Sequence, residues 1–135
     1  GWFKGTTPTY SPEPNYNASK QANLLFGTEL HKRHGSWLRV MPCHPGVSAT
    51  NLFRHGWYGA FSMMFQSAEA GSLLECRAAF DQSLKPFTYV GTSASYKTGA
   101  WKGAPQPEEP APHAVDPETA AKLWAASEAA TGIAF

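Results

Sequence analysis

The stretch of sequence that decides the fold is YNASKQANLLF, residues 16–26. Apolar residues recur there and beyond at a spacing of three to four, which predicts an amphipathic helix from about Tyr16 to His34. Gly35 follows as a suitable residue to end that helix. Residues four apart share one helical face, so the pattern places the phenol of Tyr16 beside the ammonium of Lys20.

A Tyr and a Lys at this spacing point to acid/base chemistry. A cation this close favours the phenolate, which lowers the pKa of a Tyr from its usual value of about 10. The phenol can then protonate a carbonyl oxygen or accept the proton of an alcohol. Taken alone, a Tyr-x-x-x-Lys pair also arises on ordinary surface helices, and this interpretation stays open until the context is considered.

The residues after this helix carry further strand and helix signals. The short apolar run Trp37–Met41 predicts a buried strand of a parallel sheet. Ser67 is an N-cap candidate for a helix running to about Gln82, and Thr88–Val90 predicts another strand. A helix followed closely by a strand is half of a βαβ unit, whose first strand would precede Tyr16.

The end of the chain has the strongest helix signal. Asp116-Pro117-Glu118 supplies an N-cap, a proline at the first helical position and an acid in the first turn. The predicted helix carries Leu123 and Trp124 and ends at Gly132. The Pro-rich segment Pro105–Pro112 before it predicts a loop.

Two other stretches predict little regular structure. Gly1–Asn15 is interpreted as a polar loop, because Pro12 and Pro14, among others, oppose a regular element. Asn51–Phe65 is aromatic and Met-rich, which favours helix in pieces. In the helix after it, Cys76 is expected to pack in the core.

Length and composition exclude several classes of protein. The 135 residues allow one domain with a modest core, and the net charge of +1 gives no electrostatic basis for binding nucleic acid. Cys43 and Cys76 lie far apart, which favours a reducing compartment such as the cytoplasm over a disulfide framework. No apolar run reaches the ~20 residues of a transmembrane helix. The histidine spacing matches no common metal site, so we expect no metal.

Two motifs in the right order carry a family resemblance. Residues 16–26 resemble the active-site helix of the short-chain dehydrogenase/reductase family. HPGVSAT, residues 44–50, resembles that family's Pro-Gly-x-x-x-Thr loop. Leu123-Trp124, Ser127-Glu128 and Thr131-Gly132 resemble the chain ending of its retinol-dehydrogenase-like and WW-domain-oxidoreductase-like branch. The resemblance extends from Tyr16 to Gly132.

The resemblance implies an α/β fold, the C-terminal half of a Rossmann-type doubly wound parallel sheet with flanking helices. Residues 1–15 would be a loop, and residues 16–50 the active-site helix, a strand and the nicotinamide loop. Residues 51–82 would form the substrate lobe, and residues 83–135 the last strand, a loop and the C-terminal helix.

It also implies an oxidoreductase that interconverts an alcohol and a carbonyl with NADP or NAD, with NADP favoured. Tyr16 would be the general acid/base, and Lys20 would lower its pKa and bind the nicotinamide ribose. Thr50 would bind the carboxamide of the nicotinamide. Three further residues would shape that cofactor loop: Pro45, Gly46 and Val47. The aromatic stretch Phe53–Phe65 suggests an apolar substrate.

Other parts of the family's machinery are expected before Gly1. The Gly-x-x-x-Gly-x-Gly turn that cradles the pyrophosphate does not occur in this sequence, nor does the residue that chooses between NAD and NADP. The family's catalytic Ser and Asn also belong upstream. We therefore expect the 135 residues alone to bind dinucleotide poorly and to be inactive.

Two alternatives remain open at this point. The chain could be a truncated, non-catalytic remnant that acts as an interaction or regulatory module, pairing with another copy through the Tyr16–His34 helix. Relatives that epimerise or dehydrate sugar nucleotides also use the Tyr–Lys pair. The joint presence of Tyr16, Lys20 and Thr50 favours the enzyme over the remnant, and the residue 44–46 loop favours the dehydrogenase branch.

Overall fold

The computed structural model describes residues 10–48, 65–92 and 102–134. These residues form three α-helices, two short strands and a 3-10 turn: α1 Pro12–His34, α2 Ala68–Phe80, β1 Tyr89–Gly91, β2 Gln106–Glu108, the turn Pro112–Ala114, and α3 Pro117–Thr131. The chain divides into two units, here called the helical unit (Gly1–Leu38 with Ala111–Phe135) and the strand unit (Arg39–Pro110).

Helix α1 begins four residues earlier than the sequence predicted. Ser11 is its N-cap residue, and Pro12 and Pro14 lie in the first turn. The backbone nitrogens of that turn have no partner within a helix, so a proline there loses no hydrogen bond and its fixed φ suits helix entry. The prediction of a loop up to Asn15 was therefore wrong from residue 12 onward. The helix ends as predicted at Gly35, whose N–H donates to the His31 carbonyl.

The core of the helical unit lies between α1 and α3. Leu25 of α1 packs with Ala120 and Leu123 of α3. Burial of a leucine side chain contributes about 1.5–3 kcal/mol. Beside this cluster the rings of Phe26 and Trp124 stack with their centroids 4.9 Å apart. The two helices are therefore joined along the C-terminal half of α1.

Helix α3 begins and ends as the sequence predicted. The Asp116 carboxylate accepts hydrogen bonds from the Thr119 hydroxyl at 2.6 Å and the Thr119 N–H at 2.8 Å. These bonds hold the pKa of Asp116 below its usual value. Gly132 ends the helix with φ +72°, in the left-handed region that glycine adopts without strain.

The predicted strand Trp37–Met41 was wrong, because none of its residues forms a strand. Trp37 is 74% exposed, and the segment that pairs lies later, where Cys43 forms an isolated parallel bridge with Val90. The next rung of a parallel ladder would need a hydrogen bond from the nitrogen of residue 42. Because that residue is Pro42, which has no N–H, the bridge cannot extend toward the N-terminus.

Strand β1 confirms the predicted strand near Thr88–Val90, but its partner was not foreseen. It pairs antiparallel with β2, Val90 opposite Pro107. The strand β2 lies inside the segment predicted to be loop, because Gln106–Glu108 has no alternating apolar pattern that would reveal a strand. Val90 packs with Leu74 and Ala78 of α2 in the core of this unit.

Helix α2 confirms the predicted N-cap. The Ser67 hydroxyl accepts a hydrogen bond from the Ala70 N–H at 3.1 Å, and the helix ends at Phe80, two residues before the predicted Gln82. Cys76 is exposed, so its predicted role in the core was wrong. It lies two positions after the buried Leu74, which turns it about 200° away from the core face.

The described residues therefore combine helices with a small two-stranded sheet. Within the described ranges the paired strands are antiparallel, and the doubly wound parallel sheet stays a prediction. None of the described helices has the length and apolar character needed to cross a bilayer.

Candidate active site

The predicted acid/base pair lies on the N-terminal half of α1, before the part that packs on α3. The ammonium Nζ of Lys20 lies over the ring of Tyr16, 5.4 Å from its centroid. The Tyr16 side chain is half exposed. The helix repeat thus brings the two groups together as the spacing predicted.

This arrangement leaves the pair accessible to a ligand. The Ser19 hydroxyl donates to the Tyr16 main-chain carbonyl at 2.7 Å, so Ser19 acts on the backbone and not on the phenol. Among the salt bridges of the described residues, none involves Lys20, whereas Lys32 on the same helix lies 3.5 Å from Glu29. Lys20 can therefore direct its charge to the phenol and to hydroxyl groups of a bound molecule.

The predicted cofactor loop lies in the strand unit and is described as far as Ser48. Gly46 has φ +67°, a left-handed conformation that explains why glycine stands there. Its N–H donates to Nδ1 of His44 at 2.9 Å. The Ser48 hydroxyl donates to the Pro45 carbonyl at 3.3 Å. The turn is thus held by short-range hydrogen bonds at both of its ends.

A residue that the sequence analysis missed also holds this loop. The Gln66 side-chain N–H group donates to the Pro45 carbonyl and, at 3.5 Å, to the Ser48 hydroxyl. Its main-chain N–H donates to the Val47 carbonyl at 3.1 Å. No sequence motif singles out Gln66, because its partners lie about 20 residues earlier in the chain.

Helix α2 supports the loop through a glycine. A Cβ on Gly71 would lie well inside van der Waals contact with the Ser48 hydroxyl oxygen, so a larger residue there would displace the Ser48 side chain from its present position. A lone glycine inside an otherwise good helix is a signal of a close approach, and it could have been read from the sequence.

Part of the predicted site lies outside the described residues. Thr50 is one such residue. Of the predicted substrate lobe, residues 51–82, the structure describes residues 65–82. Tyr16 and Lys20 belong to the helical unit and Pro45, Gly46 and Val47 to the strand unit, so their assembly into one site stays a prediction.

The strand unit also contains an open cavity of about 310 Å³. It is lined by six residues: Arg39, Met41, Cys43, Glu75, Ala78 and Ala79. Burial, and secondarily the charge of Glu75, raises the pKa of the Cys43 thiol. A raised pKa disfavours the thiolate, so Cys43 is not an activated nucleophile. Within the part of the chain that the structure describes, no cluster of three or more metal-binding side chains occurs.

Comparison with known proteins gives a consistent group of relatives, although no protein-family model matches the chain. Human retinol dehydrogenase 13 is 32% identical over 131 residues, which cover 94% of this chain. Mouse retinol dehydrogenase 14 is 31% identical over 140 residues, covering 93% of the chain. The chloroplastic short-chain dehydrogenase TIC 32 B of Brassica napus is 31% identical over 124 residues, covering 85%.

A solved structure resembles this chain in fold. The crystal structure of an uncharacterised protein from Mycobacterium paratuberculosis matches 96% of this chain with a TM-score of 0.72 and 34% sequence identity. The matched part is 43% of that protein. The chain likewise spans 36–39% of the length of the three curated relatives named above.

Proposed function

Because this chain belongs to the short-chain dehydrogenase/reductase family, we propose that it supplies the acid/base pair of an NAD(P)-dependent oxidoreductase that interconverts an alcohol and a carbonyl. The observation that carries the proposal is the position of the Lys20 ammonium over the ring of a half-exposed Tyr16. A buried or ion-paired Lys at this position would have argued against it.

Tyr16 is the proposed proton donor and acceptor. During reduction its phenol donates a proton to the carbonyl oxygen of the substrate, and during oxidation the phenolate accepts the proton of the alcohol. The chemistry that a bound nicotinamide dinucleotide would supply is hydride transfer, to the carbonyl carbon in reduction and from the alcohol carbon in oxidation. Lys20 places a positive charge beside this phenol, where it can stabilise the negative charge that develops on the phenol oxygen as the proton is donated.

The residues present fit a nicotinamide nucleotide. The Lys20 ammonium carries three donors suited to ribose hydroxyls, and it enters no salt bridge with a described residue. The loop at Pro45, Gly46 and Val47 has its turn fixed by hydrogen bonds, which is the preorganisation that binding of a flat amide requires. We assign Thr50, which follows this loop, to the carboxamide, and we favour NADP over NAD.

An apolar alcohol or aldehyde is the proposed substrate. Two of the relatives are named for retinol, a long apolar alcohol. The aromatic stretch Phe53–Phe65 follows the cofactor loop in sequence and would supply an apolar binding surface. The two free cysteines fit a reducing compartment, and we propose the cytoplasm.

The test is an assay of the protein expressed from its complete reading frame. Oxidation of NADPH and NADH is followed at 340 nm with a series of apolar aldehydes that includes retinal. The substitution Tyr16→Phe removes the proton donor and is expected to lower kcat/KM at least 1,000-fold, within the range of general acid catalysis. Tyr10→Phe is the matched control, since it removes another exposed phenol just before α1.

Two outcomes would contradict the proposal. Turnover that survives Tyr16→Phe would remove Tyr16 from the chemistry. A folded wild-type protein that neither binds dinucleotide nor reduces any aldehyde would favour the alternative, a non-catalytic module that interacts with another copy of the chain or with a partner.

A further inference from the structure

Gln66 is a buried polar residue beside the Pro45–Ser48 loop, whose conformation matters for the proposed function. It is 7% exposed, and the amide at its end is engaged at both of its polar atoms. The nitrogen donates to the Pro45 carbonyl and the Ser48 hydroxyl, and the oxygen accepts from the Gly103 N–H at 3.4 Å. These contacts all lie within the strand unit.

The contacts fix the peptide group between Pro45 and Gly46 at both ends. Its carbonyl oxygen accepts from Gln66 and Ser48, while its N–H donates to His44 at 2.9 Å. Hydrogen bonds at both the oxygen and the nitrogen oppose rotation of this peptide group, which favours the left-handed conformation of Gly46.

The main chain of Gln66 fixes a second peptide group of the same loop. Its N–H donates to the Val47 carbonyl at 3.1 Å, and Gln66 forms a parallel bridge with Ser48. One residue therefore contacts two peptide groups of the loop, the one after Pro45 and the one after Val47.

We propose that Gln66 is a positioning residue that holds the Pro45–Ser48 loop in the conformation that receives the nicotinamide. The assignment rests on the proposed function, because it concerns the loop through which that function would bind its cofactor. Gln66 acts through the loop backbone and does not contact the dinucleotide itself.

Three replacements of Gln66 by side chains of similar length separate its role as a hydrogen-bond donor from its role in packing. Gln66→Met keeps the shape and removes both polar atoms. Gln66→Glu keeps the acceptor for Gly103 and places a carboxylate against the Pro45 carbonyl. Gln66→Lys keeps donors for Pro45 and Ser48 and removes the acceptor.

The measurement is the Kd for NADPH, from the change in its fluorescence, together with kcat, in protein from the complete reading frame. Gln66→Met and Gln66→Glu are expected to raise Kd about tenfold, the effect of losing one or two hydrogen bonds. Gln66→Lys is expected to stay within about threefold of wild type. The thermal midpoint without dinucleotide, recorded for each variant, reports packing separately.

The outcomes distinguish this proposal from the proposed function. A wild-type protein that binds NADPH, with all three variants equal to it in Kd, overturns the role of Gln66 and leaves the function standing. The same holds if Kd in Gln66→Lys rises as far as in Gln66→Met, because the donors would then not matter. A wild-type protein that binds no dinucleotide overturns both.

A milder variant covers the case in which the Gln66 variants do not fold. Ser48→Ala removes the hydroxyl that contacts both Pro45 and Gln66. It is expected to raise Kd about threefold at an unchanged thermal midpoint, and an unchanged Kd would overturn the proposal.

Discussion

The Tyr16–Lys20 pair and the Pro45–Ser48 loop are built in opposite ways. The pair needs only the five residues 16–20 in regular helix, since the helix repeat brings the Lys20 Nζ to 5.4 Å from the Tyr16 ring centroid. The loop needs Gln66, about 20 residues later, and the lack of a side chain on Gly71 of α2, which lets Ser48 approach that helix. The geometry of the first region is local, and that of the second is assembled from distant parts.

This difference separates two kinds of sensitivity to mutation. Substitutions far from the Tyr16–Lys20 pair can lower the stability of the helical unit without moving the pair, provided that the helix persists. Distant substitutions can change the geometry of the loop, because residues with no role in the chemistry determine its backbone conformation. For substitutions in the Tyr16–Lys20 pair we expect a lower kcat/KM without a structural change. For substitutions around the loop we expect a higher Kd for the dinucleotide together with a local structural change.

Among the substitutions that test this comparison, the largest effect is expected from Lys20→Met. It removes the charge beside Tyr16 and keeps most of the aliphatic side chain, so kcat/KM should fall about 100-fold while the thermal midpoint stays within a degree or two. Lys85→Met, on the surface of the strand unit, is the control. A fall in thermal midpoint that accounts for the lost activity would show that the pair is not purely local.

A smaller effect is expected from Gly71→Ala. Replacing a helical glycine by alanine usually stabilises a helix, but here the new methyl group collides with the Ser48 hydroxyl. We expect the thermal midpoint to fall by several degrees and the Kd for NADPH to rise about tenfold. Thermal unfolding and NADPH titration measure the two effects.

The double substitution Gly71→Ala with Ser48→Ala removes the colliding oxygen and should recover most of the thermal midpoint. Ser72→Ala, on the exposed side of the same helix turn, is the control. If Gly71→Ala proves stabilising, α2 does not support the loop and the contrast between the two regions disappears.

The smallest effect is expected from Asp116→Ala at the start of α3. Loss of the cap should lower the thermal midpoint by a few degrees at pH 7 and leave Kd and kcat unchanged, whereas Asp116→Asn retains the cap. A change in Kd upon Asp116→Ala would contradict the independence of the two regions.

The pH dependence of the Asp116 effect has a definite sign. The folded-state pKa of Asp116 is lowered, first by the Thr119 hydroxyl and then by the Thr119 N–H. Its charge therefore stabilises the fold above the unfolded pKa of about 3.9, and this contribution is lost as the pH falls through the lower folded value. The difference in midpoint between wild type and Asp116→Ala should shrink between pH 5 and pH 3.

The sequence was most informative where a local rule decides the structure. The caps at Ser67 and Asp116, the end of α3 at Gly132 and the closeness of Tyr16 and Lys20 each depend on residues within a few positions of one another. Rules of this kind act in the chain before tertiary packing, so they can be read from the residues.

The sequence was least informative where a distant partner decides the structure. Gln106–Glu108 forms a strand because Tyr89–Gly91 lies beside it, and no local pattern shows this. Gln66 has a role only because it meets the Pro45 carbonyl. Pro12 and Pro14 were misjudged for another reason, since a proline's effect depends on where the helix begins.

The pairing of α1 with α3 has a consequence for the order of events during synthesis. The strand unit lies between these two helices in sequence, so α1 leaves the ribosome well before its packing partner. Until Leu123 and Trp124 arrive, Leu25 and Phe26 have no surface to cover them. Contacts of such long sequence separation form late and slow folding. The helix that carries the proposed catalytic Tyr would thus reach its final packing only after the strand unit and α3 have been translated.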